Sequence, residues 1–172
     1  MSFNLEKDVS TTVSIIIGSE SDLELANKCS DTLESLSITN STQVLSAHRT
    51  PDLLENHVRE CEEGGTKVFV AIAGLAAHLA GAVASKTILP VIGVPADGGP
   101  LRGMDALLST VQMPKGIPVA TVAIGSSGAV NSAYLAAQIL GVESKEIRNS
   151  LLRVREEGKE AIKKSNQKLL KS

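Results

Sequence analysis

Short apolar runs alternate along the chain with longer segments in which apolar residues recur every three or four positions. The short runs are rich in Val and Ile and lack polar alternation, which is typical of parallel strands that are covered on both faces. The longer segments predict amphipathic helices. The pattern predicts strands at residues 13–17, 42–45, 67–73, 90–94 and 119–124.

Each predicted helix follows a strand and carries an apolar stripe that can pack on the sheet. The first helix carries Leu25, Cys29, Leu33 and Leu36 on one face, and the second carries Leu54, Val58 and Cys61. The third and fourth helices are predicted at residues 76–86 and 129–140. Gly64 and Gly65 are expected to end the second helix. The alternation predicts an α/β fold, a three-layer sandwich with a doubly wound, flavodoxin-like parallel sheet.

The C-terminal segment, residues 144–172, differs from the rest of the chain. It is highly charged, and its apolar residues at near-helical spacing form a stripe that is too narrow for the centre of a core. It is predicted to be a helical extension that packs across a neighbouring subunit or along the edge of its own domain. We therefore expect an α/β catalytic domain at residues 1–143, followed by this helix.

The composition suits one domain and argues against nucleic acid and membranes as partners. The 172 residues carry a formal net charge of −2, and aromatic residues make up 2%. The chain thus lacks a basic field that attracts nucleic acid and rings on which bases stack. No apolar run approaches the roughly 18 residues that span a membrane. Residues 1–10 have no continuous apolar run, so we expect no signal peptide and a cytoplasmic location.

The cysteines and histidines do not form a metal-binding pattern. Cys29 and Cys61 fit neither a zinc motif nor a disulfide scaffold, and we expect both to be buried, reduced thiols. His48, His57 and His78 are scattered without the spacing of a metal-binding helix. His57 is expected to be a partly exposed helical residue. We therefore expect no dedicated metal site.

The segment at residues 46–52 is the strongest candidate for chemistry, because polar residues there follow a predicted strand. His48 can move a proton near neutral pH, and Arg49 can hold a phosphate or a carboxylate. Thr50 is a good N-cap, and Pro51 suits the first helical position. The alternative is a structural cap beside a solvated His-Arg pair.

Three other loops should reach the same edge of the sheet, where ligands bind in doubly wound folds. Residues 18–22 offer backbone N–H groups and hydroxyls to a phosphate, although Ser21 or Asp22 could instead only cap a helix. This loop has neither P-loop nor dinucleotide-binding spacing. In residues 73–81 His78 is the only polar side chain. A lone histidine among apolar neighbours is more often structural than catalytic. Residues 97–105 are glycine-rich, as lids and binding loops often are. Together the four loops suit proton transfer on a small phosphorylated metabolite.

Five motifs occur in order, and they resemble one known family. They are GSESD at residues 18–22, SAHRTP at 46–51, AAHL at 76–79, LPVIGVP at 89–95 and VQMPKGIPVAT at 111–121. The chain closely resembles, over residues 13–140, the N5-carboxyaminoimidazole ribonucleotide mutases of purine biosynthesis. This family is also described as the catalytic subunit of phosphoribosylaminoimidazole carboxylase.

The resemblance implies an assembly and a reaction. The assembly is a homo-octamer with active sites at subunit junctions, and the C-terminal helix reaches a neighbour. The reaction uses no ATP, metal or cofactor, and it moves the carboxyl group of N5-carboxyaminoimidazole ribonucleotide from the exocyclic nitrogen to ring carbon C4. The partners are thus a small ribonucleotide and CO2.

The resemblance also implies roles for individual residues. His48 is the general acid/base that protonates the departing nitrogen and later removes the C4 proton. Arg49, Ser21 and Ser46 hold the phosphate, and Ser19 and Asp22 position the ribotide. The remaining substrate-binding residues, which line the place of CO2 and the base, are Ala47, Gly74, His78 and Leu79.

Two alternatives remain open from the sequence. A second class of the family carboxylates aminoimidazole ribonucleotide directly with CO2, and it typically has Lys after the active-site His and lacks the AAHL segment. Arg49 and His78 therefore favour the mutases. A non-catalytic ribotide-binding module is the other alternative, but binding alone would not need His48. The roles of Glu20, Asp97 and Arg102 and the existence of an ATP-dependent synthetase partner are left open.

Three departures from the resemblance concern single positions. Leu23 stands where many relatives have Trp, Leu75 where Gly is frequent, and Ala80 where Pro is frequent.

Overall fold

Five parallel strands form one sheet in the computed structural model, which describes residues 11–170. The strands are β1 (Val13–Ile17), β2 (Asn40–Val44), β3 (Val68–Ala73), β4 (Val91–Pro95) and β5 (Ala120–Thr121). Their order is β2-β1-β3-β4-β5, which is the flavodoxin-like order. The predicted fold class is therefore confirmed. The prediction that residues 1–10 contain no signal peptide lies outside the described residues.

Helices cover both faces of this sheet. They are α1 (Leu23–Ser35), α2 (Pro51–Glu63), α3 (Leu79–Ala84), α4 (Met104–Val111), α5 (Gly125–Leu140) and α6 (Lys145–Leu169). Alternate residues of β1 point to opposite faces, so that Ile15 and Ile17 pack with α1 and α5 while Ile16 packs with α2 and α3. The continuous apolar runs are thus explained by burial on two sides.

The structure differs from the predicted elements in the last third of the chain. Helix α4 was not predicted, because its apolar residues follow a glycine-rich loop that masks the helical period. The fifth strand is only Ala120–Thr121, since this edge strand pairs on one side alone. Helix α3 begins at Leu79 rather than at residue 76, because Leu75 has a positive φ of 56° that interrupts helical geometry. Helix α5 begins at Gly125 instead of residue 129.

The first half of α6 lies against the domain that precedes it. The Ser144 hydroxyl accepts a hydrogen bond from the backbone N–H of Ile147 and so caps the helix. Ile147, Leu151 and Val154 pack on the core between the sheet and α5. Farther along, Ile162 is 65% exposed. One end of the extension thus follows the edge of its own domain, while the other end offers apolar surface.

The two cysteines differ in burial. Cys29 is fully buried on α1, where burial raises the pKa of its thiol to about 11. Cys61 is only half-buried on α2, so the expectation of a buried thiol is wrong there. No described residues group into a cluster of three or more His, Cys, Asp or Glu side chains that could hold a metal ion. Within residues 11–170, no helix is long and apolar enough to cross a membrane.

His57 on α2 reaches into the sheet, away from the loops that carry the candidate chemistry. Its Nε2 lies 3.0 Å from the hydroxyl of Ser14, which is fully buried on β1. The Cys61 sulfur lies 3.4 Å from the same nitrogen. Burial lowers the pKa of His57 and outweighs the opposing effect of Glu60. The folded protein therefore favours the neutral imidazole.

This pKa shift predicts a pH dependence of stability. The unfolded chain binds a proton at His57 below about pH 6.5, whereas the folded chain does so only at lower pH. The contribution of His57 to the free energy of unfolding is therefore intact above about pH 6.5 and is lost as pH falls through the folded pKa. Urea unfolding between pH 7.5 and 5.5 at one protein concentration should show a larger loss for the wild type than for His57→Gln. Equal losses would contradict the prediction.

Candidate active site

A cavity of about 590 Å³ opens at the edge of the sheet where β1, β2, β3 and β4 end. The loop after each of these strands contributes to its wall, as expected for a doubly wound sheet. All ten residues that the sequence singled out for catalysis or binding line it. They are Ser19, Ser21, Asp22, Ser46, Ala47, His48, Arg49, Gly74, His78 and Leu79.

The loop after β1 forms a short 3-10 turn at Glu20–Asp22. The Ser19 hydroxyl accepts a hydrogen bond from the Ser21 backbone N–H, and the Ser21 hydroxyl donates to Asp22 Oδ1, at 3.4 Å in each case. Asp22 is buried, and burial raises the pKa of its carboxyl more than these hydrogen bonds lower it. It precedes α1 but makes no capping hydrogen bond to that helix. Ser19, Ser21 and Asp22 therefore line the cavity, and the Asp22 side chain does not cap α1.

Arg49 connects the loop after β2 with the loop after β1. Its Nη2 donates to the carbonyl of Gly18 at 2.9 Å, and its Nε donates to the hydroxyl of Ser46 at 3.3 Å. These hydrogen bonds to described residues take up two N–H groups of the guanidinium. The remaining N–H groups of its planar fork can donate to an anion. The exposed Arg49 is thus held in place beside the cavity.

Thr50 occupies the N-cap position of α2, but its predicted capping role is wrong. Its hydroxyl makes no capping hydrogen bond to the helix. It accepts from the Ser46 N–H at 3.0 Å and donates to the Ser46 carbonyl at 3.2 Å. The Thr50 side chain therefore closes the loop that presents His48 and Arg49, while Pro51 begins the helix as expected.

His48 and His78 meet across the cavity, although they lie on different loops. His48 Nε2 is 2.8 Å from His78 Nδ1, and the two rings cross edge to face with centroids 5.0 Å apart. One of these two nitrogens must donate the hydrogen bond and the other must accept it. The position of the proton on one ring therefore fixes the tautomer of the other ring. The residue pattern alone favoured a structural role for His78, whereas the family resemblance assigned it to substrate binding, and neither predicted its contact with His48.

The apolar side of the cavity comes from the loops after β3 and β4. Leu79 is buried, and an added Cβ on Gly74 would lie 3.5 Å from the Ala96 side chain. Seven residues beyond the ten assigned ones also line the cavity. They are Gly18, Ala73, Leu75, Ala76, Ala96, Gly98 and Gly99. All of them except Ala96 lie in loops that the sequence placed at this edge of the sheet.

The three residues whose roles were left open do not line this cavity. Glu20 borders a shallower depression that shares Ser19, Ser46 and Arg49 with the cavity wall. Asp97 lies against Gly125 at the start of α5, within 3.0 Å of where an added Cβ would stand. Arg102 is exposed in the β4–α4 loop.

The cavity therefore combines a coupled imidazole pair, a fixed guanidinium, hydroxyls, one buried carboxyl and an apolar wall. The imidazoles can exchange protons with a ligand, and the guanidinium can bind an anionic group. The apolar wall can hold a small uncharged molecule. This set suits proton transfer on an anionic metabolite.

Comparisons with known proteins show what the whole chain is similar to. A family model described as AIR carboxylase matches residues 12–161. The N5-carboxyaminoimidazole ribonucleotide mutase of Bacillus subtilis is 48% identical over 158 residues, which is 92% of this chain and 98% of that protein. The protein of the same name from Pseudomonas aeruginosa is 47% identical over 154 residues, covering 90% and 94%. The crystal structure of PurE from Treponema denticola superimposes with a TM-score of 0.84 at 30% identity, covering 91% of this chain and 97% of that chain.

Proposed function

Since the chain belongs to the AIR carboxylase family, we propose that it is an isomerase of purine biosynthesis that acts without ATP. It converts N5-carboxyaminoimidazole ribonucleotide to 4-carboxy-5-aminoimidazole ribonucleotide, as the names of its relatives from Bacillus subtilis and Pseudomonas aeruginosa indicate. The observation that carries the mechanism is the contact of His48 with His78 in a cavity beside Arg49.

The first half-reaction releases CO2. The N–C bond of the carbamate breaks, and its electron pair returns to the exocyclic nitrogen, which takes a proton from the imidazolium of His48. The products at this stage are enzyme-bound 5-aminoimidazole ribonucleotide and CO2. His48 is left neutral, and the hydrogen bond to His78 holds its ring in position.

The second half-reaction forms the new carbon–carbon bond. Ring carbon C4, which has enamine character, attacks CO2, and the C4 proton then passes to neutral His48. Gain and loss of one proton balance, so no external acid or base is consumed. A single imidazole serves as acid and then as base, which requires a group that titrates near neutral pH. Because CO2 and the ring stay together, the second step is effectively intramolecular.

Binding is assigned to the polar side of the cavity. Arg49, Ser21 and Ser46 hold the phosphate through charge-assisted hydrogen bonds, which is consistent with the fixed guanidinium. Ser19 and Asp22 position the ribose, since a buried carboxylate can accept hydrogen bonds from hydroxyl groups. The residues assigned to the base and CO2 are Ala47, Gly74, His78 and Leu79.

We also propose a cytoplasmic homo-octamer. The apolar residues Met104, Leu108 and Val111 recur every three or four positions along α4, and Leu101 lies three residues before the helix begins. Each of the four is about half or more exposed. The far end of α6 also offers apolar side chains, which supports its contact with a neighbouring subunit. Burial of such stripes stabilises oligomers. Two free cysteines agree with a reducing compartment.

Light scattering on the purified protein tests the assembly. The expected mass is about eight times that of the 17.9 kDa chain. Replacing Leu108 with Asp should shift the mass to smaller species, because a charge would be buried in the interface. A monomeric wild type would refute the octamer.

The activity is tested with N5-carboxyaminoimidazole ribonucleotide in bicarbonate-depleted buffer without ATP or added metal. The absorbance of 4-carboxy-5-aminoimidazole ribonucleotide should rise faster than it does without enzyme. Product from 5-aminoimidazole ribonucleotide and CO2 alone would instead make the protein a direct carboxylase. Binding without product in either assay would indicate a ribotide-binding module.

A further inference from the structure

Leu75 has a backbone conformation that leucine rarely adopts. Its φ is +56°, in the left-handed region, which is strained for a residue with a side chain and not for glycine. Its side chain is also 54% exposed, so burial does not offset this strain. A leucine that is both strained and exposed needs an explanation other than stability of the fold.

The Leu75 side chain contacts the loop after β4. An added Cβ on Gly99 would lie 2.5 Å from Leu75 Cδ2, so the side chain rests directly on the backbone of Gly99. Gly99 has a positive φ of 77°, which leaves this position to glycine for a second reason. Leu75 therefore joins the loops after β3 and β4, which otherwise approach through Gly74 and Ala96.

This contact belongs to the apolar wall of the cavity. Leu75 and Gly99 both line the cavity, together with His78 and Leu79. The exposed part of Leu75 offers apolar surface that a bound molecule can cover. CO2, the intermediate of the proposed reaction, is neutral and apolar, so the polar groups of the site bind it weakly. Its retention therefore depends on apolar surfaces that block its exit.

We propose that the contact between Leu75 and Gly99 is the closure that retains CO2 between the two half-reactions. This inference rests on the proposed function, because only a reaction through free CO2 needs such a closure. Leu75 thereby determines how often the enzyme completes carboxyl transfer and how often it releases 5-aminoimidazole ribonucleotide and CO2. It contributes no proton and no hydrogen bond to the reaction.

The test follows the fate of the carboxyl carbon. N5-carboxyaminoimidazole ribonucleotide labelled with ¹³C in the carboxyl group is converted in buffer that contains unlabelled bicarbonate and carbonic anhydrase. CO2 that escapes is diluted by the unlabelled pool, so the label in the product measures retention. Product is analysed by mass spectrometry at low conversion, before the reverse reaction exchanges the label.

The informative variant is Leu75→Gly, which removes the side chain and relieves the left-handed strain at the same position. The matched control is Ser37→Gly, because Ser37 is exposed, has a φ of 59° and lies in the turn after α1, outside the cavity. Leu75→Asn is a second variant, since asparagine tolerates this conformation and replaces the apolar end with an amide.

The fraction of label lost should rise about three- to tenfold in Leu75→Gly and also in Leu75→Asn, as a lower barrier to escape requires. Release of 5-aminoimidazole ribonucleotide should rise in parallel, while Ser37→Gly should match the wild type. Label retention equal to that of the wild type in both Leu75 variants would overturn the role of Leu75 alone. A wild type that forms no carboxylated product would overturn the proposed function, and this inference with it.

Discussion

Replacing His48 with Asn is expected to lower turnover by about two to four orders of magnitude, which is the usual contribution of a general acid/base. The amide of Asn can fill the site and form hydrogen bonds, but it does not carry a proton between nitrogen and C4. Folding should be unaffected, because His48 is exposed on a loop and water can satisfy His78 when the ring is gone. The measurement is the steady-state rate of product formation from N5-carboxyaminoimidazole ribonucleotide.

A histidine outside the cavity provides the control for this experiment. His57→Gln removes the ring that contacts Ser14 on β1, outside the cavity, and should leave turnover near the wild-type value. The His48→Asn variant should also bind 4-carboxy-5-aminoimidazole ribonucleotide with a nearly unchanged dissociation constant in calorimetry. Undiminished turnover in His48→Asn would refute the mechanism.

Replacing Arg49 with Ala is expected to weaken ribotide binding by about 2–4 kcal/mol, which is roughly 30- to 700-fold in the dissociation constant. The physical reason is the loss of charge-assisted hydrogen bonds to the phosphate. The bonds of Arg49 to Gly18 and Ser46 are solvent-exposed, so water can replace them without a large effect on folding. Calorimetry in the His48→Asn background avoids conversion of the ligand during the titration.

Two further variants separate charge from geometry. Arg49→Lys keeps the positive charge but loses the planar fork, and we expect an intermediate loss of affinity. Arg59→Ala removes an exposed guanidinium from α2, the helix that follows the Arg49 loop, where it contacts Asn56, and should leave binding unchanged. A dissociation constant for Arg49→Ala that matches the wild type would remove Arg49 from the phosphate site.

The fold could be predicted from sequence because its signals are local. The runs at Val13–Ile17 and Val68–Ala73 are apolar on both faces, and this is readable without knowing what covers them. The prediction failed where local signals are weak or ambiguous. The first four residues of α5, Gly125 to Gly128, favour a loop by propensity, yet the helix begins with them. Gly125 has a positive φ of 68°, and both Gly125 and Gly128 are buried, so the helix start depends on packing that the local sequence does not show.

The sequence by itself determined which side chains are available at the edge of the sheet, since the residue that follows each strand is set by the chain. Ser19, His48 and Arg49 could therefore be assigned to one site. Only the tertiary structure decided which of them touch. The contact of His48 with His78 and that of Leu75 with Gly99 join loops that are distant in sequence. Their distances depend on strand order and helix packing, which are properties of the whole sheet and not of any segment.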